Sequence, residues 1–229
     1  MKTAPRLRFG PAVRIPSLFV GLVVIAIGIV ALLESGLGLS PWDVLHQGIA
    51  RHTPLTIGTA SVVVGLVVLV AAWALGQPPG WGTVANAVVI GLAVDALLAV
   101  DAIAELDLEA LPVRIALVLV GVALFGIGTA LYVGGGLGAG PRDSMMLMLS
   151  RRSGVRIAIV RFSMEAVVVA IGFALGGTVG IGTLVFVVLI GPSVEGSFWL
   201  LTRLGLAEPR APEIAIEPVA AETARAETA

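Results

Sequence analysis

Six stretches of the chain are apolar almost throughout, at residues 15–34, 56–75, 81–100, 113–133, 156–175 and 181–200. Each is about twenty residues long, the length an α-helix needs to cross ~30 Å of hydrocarbon. The pattern therefore predicts six membrane-spanning helices. Trp42, Trp73, Trp81 and Trp199 fall at or near block edges, where a ring with one wet end is favoured. The first block follows Lys2, Arg6, Arg8 and Arg14 as a signal peptide would, but it lacks a small-residue cleavage site and has a twin later in the chain.

That twin emerges on shifting the sequence by 100, which aligns it with itself without a gap. Gly21 falls on Gly121, Gly28 on Gly128, Pro41 on Pro141, Asp43 on Asp143, and Arg51 on Arg151. Gly80, Gly82 and Thr83 meet Gly180, Gly182 and Thr183, and Asp95 meets Glu195. Roughly three positions in ten are identical over about 88 residues. Three spans per copy is an odd number, so the second copy is expected upside down relative to the first. Basic residues sort accordingly. With the N-terminus inside, twelve of fourteen fall inside, and Arg51 and Arg114 fall outside.

The expected fold is an all-α membrane protein: six transmembrane helices as two inverted three-helix repeats, each with a short re-entrant or interfacial helix. The divisions are a basic cytoplasmic N-terminus at 1–12, repeat one at 13–100, an external loop at 101–112 carrying Asp101, Glu105, Asp107 and Glu109, repeat two at 113–203, and a tail at 204–229. The tail, Ala/Glu/Pro-rich and without apolar periodicity from Gly205, is expected to be disordered in the cytoplasm.

Composition narrows the function classes. Of the 229 residues 58% are hydrophobic and 13% charged, against ~45–50% and ~25% for soluble domains. A soluble enzyme or nucleic-acid-binding domain is excluded. The absence of cysteine removes disulfides, thiolate metal sites and a Cys nucleophile. No His/Glu metal set or Ser/His/Asp arrangement is supported, so no enzyme, metal or cofactor is expected. Arginine-rich, Ala/Gly/Val-rich usage points to a GC-rich bacterial gene.

Candidate chemistry lies first in the turns between spans one and two of each repeat. Gly36, Gly38, Ser40 and Pro41 precede Asp43, and Gly136, Gly138, Gly140 and Pro141 precede Arg142 and Asp143. Ser40 suits an N-cap and Pro41 the first helical position, with Asp43 reaching back to complete a capping box. The helix that follows, to about Arg51, is too short to span. It is either an interfacial amphipathic helix or a re-entrant hairpin facing a solute path. Asp43, His46, Gln47 and Arg51 share one face, expected to be solvated. In the second copy Met145, Met146 and Met148 read as packing residues.

Ionisable groups within spans mark function by default. Glu165 lies mid-span one turn after Arg161, as a self-neutralising pair or a proton or ion site. Asp95 and Glu195 occupy equivalent places near span ends, either reaching the interface or acting as matched gates. Asn86 is suited to hydrogen-bonding across a helix pair.

Residues 36–43, Gly80-Trp81-Gly82-Thr83 with Asn86, and Ile90-Gly91 with Asp95 resemble the bacterial YczE/YyaS/YitT-type integral membrane proteins. Gly180-Ile181-Gly182-Thr183 and Ile190-Gly191-Pro192 with Glu195 echo them, and the likeness covers about residues 13–201. Repeat two departs at Arg142, opposite Trp42, and at Phe186, opposite Asn86. The resemblance implies a multi-pass plasma-membrane protein and supplies no reaction or substrate. The sequence thus leads to a small-solute or ion permease of the bacterial inner membrane with both termini cytoplasmic. Its partners would be the bilayer, a solute or ion, and a second copy of the chain, but not nucleic acid. The competing class is a non-transporting assembly or regulatory subunit.

Overall fold

A computed structural model describes residues 5–8, 10–100 and 110–208. Among the described residues eight helices follow one another: α1 Pro11–Ser35, α2 Pro41–His52, α3 Ile57–Ala74, α4 Trp81–Leu98, α5 Leu111–Gly134, α6 Pro141–Ser153, α7 Ile157–Ala174 and α8 Ile181–Arg203. Six of them, all but α2 and α6, are long and apolar enough to cross a membrane. Their bounds lie within a few residues of the apolar blocks. The largest departure is at α1, which starts four residues early because Pro11 takes the first helical position, where no amide donor is required.

The exterior is apolar: Phe162, Val188, Val67 and Ile181 are exposed, while Ser40, Asp43, His46 and Thr183 are buried. Lipid tails, unlike water, favour this arrangement and leave helices to associate through close packing and hydrogen bonds. At the centre α1 and α5 run antiparallel with backbones in contact. A Cβ on Gly21 would come 2.6 Å from the Gly128 carbonyl oxygen, and one on Gly28 would come 2.8 Å from that of Gly121.

The glycine-rich turns tie each half of the chain to the other. Gly182 N–H donates to the Leu37 carbonyl at 2.8 Å, and Gly82 N–H donates to the Leu137 carbonyl at 2.9 Å. Gly38 and Gly138, at φ +124° and +133°, hold backbone that a side chain would strain. A Cβ there would also meet Thr183 Oγ1 at 2.7 Å or Thr83 Oγ1 at 2.8 Å. The short helices cross over as well, α2 packing on α7 and α6 on α3.

Three expectations change. The tail's first residues are ordered: Ala207–Glu208 pairs antiparallel with Arg6–Leu7, with Leu7 and Ala207 buried and Arg8 ion-paired to Glu208 at 2.6 Å. The capping box also differs. The Ser40 hydroxyl caps the Asp43 amide and itself donates to the Asp43 carboxylate, whose other oxygen faces His46 Nδ1, and the bond back from the Ser40 amide that would complete a capping box is not found. Finally, the face of α2 bearing Asp43 and His46 is buried, because α2 is wedged between α3 and α7. The external-loop residues Asp101, Glu105, Asp107 and Glu109 lie outside the described residues, as do Lys2, Arg210, Arg225 and the tail beyond Glu208.

Candidate functional site

A cavity of about 360 Å³ lies among the helices, with walls from α1, α2, α4, α5, α6, α7 and α8. The N-terminal ends of α2 and α6 meet there. On the α2 side Ser40 and Pro41 form the wall. Behind them Asp43, 2% exposed, is held by the Ser40 hydroxyl and by His46 Nδ1 at 3.2 Å. A carboxylate survives such burial because these partners replace the water it has lost.

On the α6 side, Gly140, Arg142 and Asp143 form the wall. The Arg142 guanidinium lies over the Trp42 ring, 4.9 Å from its centroid, a contact worth ~0.5–2 kcal/mol depending on desolvation. Trp42 and Arg142 stand at equivalent positions in the two copies of the turn, and here they stack on each other. Next to them α5 contributes Tyr132, 3% exposed, whose hydroxyl is directed at Gly140 and Asp143.

From α7, Arg161 Nε donates to Glu165 Oε1 at 2.9 Å, and both side chains line the cavity. This is the intrahelical pair read from the sequence, with its carboxylate turned toward the other charges. Asn86 on α4 lines the cavity too, without a hydrogen bond to any described residue, so it does not join two helices. Its counterpart Phe186 packs edge-to-face on Phe125, ring centroids 5.1 Å apart, and closes the apolar side.

The two remaining carboxylates separate. Asp95 stays outside the cavity, accepting from Thr56 Oγ1 at 2.5 Å and from Gly58 N–H at 2.9 Å, which fastens α3 to α4. Glu195 is exposed at the cavity rim. The turn residues Gly36, Gly38, Gly136 and Gly138 shape the walls without lining them. Arg114 is explained as well: its Nε donates to the Ser35 carbonyl at 2.6 Å, a cation at the C-terminal end of α1.

Sequence reasoning missed Tyr132, Phe125 and the burial of His46. One signal was available for Tyr132. It is the sole tyrosine of the chain and sits in an apolar block, where a hydroxyl needs a partner.

An apolar exterior, six span-length helices and a polar interior define a multi-pass helical membrane protein. The chain belongs to the family described as "Family of unknown function (DUF6198)", whose model matches residues 12–197. It is similar to an "Uncharacterized protein" of Haemophilus influenzae, 38% identical over 187 residues that cover 82% of this chain and 84% of that protein. It is also similar to "Uncharacterized membrane protein YczE" of Bacillus subtilis, 33% identical over 76% of this chain and 80% of that protein. "Uncharacterized protein YyaS" of the same organism is 29% identical over 81% of this chain and 96% of that protein. No solved structure matches significantly. The family resemblance read from the glycine turns is thereby borne out.

Proposed function

We propose that the protein is a small-solute permease built from two inverted repeats, with α2 and α6 as re-entrant elements whose first turns meet at the solute site. The observation that carries this reading is the charged cavity inside an apolar bundle, at the junction of two helix N-termini. Such termini at matched places in two halves characterise membrane transport sites. Support for inversion comes from the antiparallel register of α1 and α5, in which Gly21 meets Gly128 and Gly28 meets Gly121. Each contact maps onto the other when 100 is added to one member and subtracted from its partner. The basic residues favour a bacterial plasma-membrane location with cytoplasmic termini, and the pairing of Arg6–Leu7 with Ala207–Glu208 favours both ends on one face.

Purified protein in liposomes is expected to take up a solute from a panel of small ions, amines and acids. Glu165→Gln with Asp143→Asn is expected to reduce that uptake at least tenfold. Leak-level flux for both proteins under every gradient overturns the reading.

A non-transporting subunit is the second reading. It is favoured by α8, where Gly191 and Gly196 face open space without a packed neighbour. A stoichiometric crosslinked partner or second copy on that face, together with absent flux, selects it.

A further inference from the structure

The cavity's charge and its unused polar groups bear on what it holds. In and directly behind its walls two guanidiniums, Arg142 and Arg161, face three carboxylates, Asp143, Glu165 and the buried Asp43, leaving one negative charge in excess, with exposed Glu195 adding to it at the rim. Neither guanidinium is spare. Arg161 is hydrogen-bonded to Glu165, and Arg142 lies on the face of Trp42 in the field of both Asp43 and Asp143. In surroundings that screen charge poorly, an uncompensated carboxylate attracts a cation strongly.

Two neutral groups point the same way. The Tyr132 hydroxyl, directed at Asp143, keeps an oxygen that accepts from no described residue, and Asn86 lines the cavity with a side-chain carbonyl that can also accept. An ammonium group has three donors and no acceptor, and it satisfies both these groups and a carboxylate. The rest of the wall is apolar: Ile25, Ile29, Ile90, Phe125, Phe186 and Ile190. The volume of about 360 Å³ falls in the ~300–1,000 Å³ range of small-molecule pockets, larger than a bare metal ion requires.

We infer that the cavity is a binding site for a small organic cation, an amine with an apolar body, whose ammonium sits among Asp143, Glu165 and Tyr132 while its hydrocarbon lies against Phe125 and Phe186. This names the substrate class for the proposed permease and rests on that reading for its transport consequence, though not for binding itself.

Three probes share one body and differ in the head: phenethylammonium, neutral phenethyl alcohol and anionic phenylacetate. Equilibrium binding to the full chain in detergent or nanodiscs is followed by calorimetry. Phenethylammonium is expected to bind at least tenfold more tightly than either analogue. Asp143→Asn and Glu165→Gln, made separately, are each expected to weaken it about tenfold, and Tyr132→Phe less. Either carboxylate variant suffices if the other fails to fold, and the head-group preference of the unaltered protein requires neither. Equal binding of the three probes, preference for phenylacetate, or no binding of any overturns the inference. A cation preference without flux of any solute would leave the binding site standing and overturn the permease. Flux of anions, with no preference for phenethylammonium in binding, would do the reverse.

Discussion

The α3–α4 and α7–α8 pairs occupy equivalent places in the two copies of the sequence, yet one is shut and the other open. Between α3 and α4 the backbones of Gly58 and Gly91 approach so closely that a Cβ on either would overlap the other's carbonyl oxygen. Asp95 fastens the contact by accepting from Thr56 and Gly58. Between α7 and α8 there is almost no contact. Gly191 has nothing within 4 Å of where a Cβ would stand, and Glu195 is exposed. The residues that differ account for part of this. Thr56 and Gly58 correspond to Arg156 and Ala158, so the second pair lacks the small hydroxyl and the bare backbone on which the first closes. In a permease of two inverted repeats, one closed and one open pair describe a site reached from a single side, and exchange of the two states would carry the solute across.

The sharpest way to test that difference is to close the open pair. The chain has no native cysteine, so A158C/G191C gives a single defined pair. Oxidative crosslinking in liposomes is expected to bring flux to leak level, and reduction to restore it. Failure to crosslink in any condition, or full flux in the crosslinked protein, would make the gap a fixed feature and not a gate.

Glycine substitutions should separate the pairs by stability. Gly91→Val forces packed backbones apart and is expected to cost ~1–3 kcal/mol. Gly191→Val, with open space around it, should stay within ~0.5 kcal/mol of the unaltered protein. Equilibrium unfolding in detergent measures both, and equal losses would erase the contrast. The smallest effect is expected at the carboxylates. Asp95→Asn weakens two charge-assisted hydrogen bonds and should cost ~1–2 kcal/mol, against less than ~0.5 kcal/mol for Glu195→Gln. A larger loss at Glu195 would reverse the assignment of shut and open pairs.

Much of this fold was legible because lipid imposes a simple rule: a span shows as about twenty apolar residues whatever its neighbours. The six blocks followed from that rule and the equivalence of Gly21 and Gly28 with Gly121 and Gly128 from the offset of 100, but that these glycines meet each other across α1 and α5 did not. The crossover of α2 onto α7 was not legible, since both arrangements of a short amphipathic helix share one pattern. That is why Asp43 and His46 were expected on a solvated face and are buried. Glu165 and Arg161 were readable as a pair because i,i+4 spacing sets their contact. Tyr132 and Phe125 entered the site only through the relative rotation of α5 and α8, which no local pattern encodes.

The small antiparallel clasp of Arg6–Leu7 with Ala207–Glu208 joins segments two hundred positions apart, with all six spans between them. Its two strands become neighbours only after the last span has entered the bilayer, and closing so long a loop costs entropy that local helix contacts do not. Arg6 and Leu7, made before any span, must therefore wait for Ala207 and Glu208, made after all six. The buried side chain of Leu7 and the Arg8–Glu208 pair record a completed insertion, so protection of Leu7 from protease or hydrogen exchange would report finished assembly in a way that no single span can.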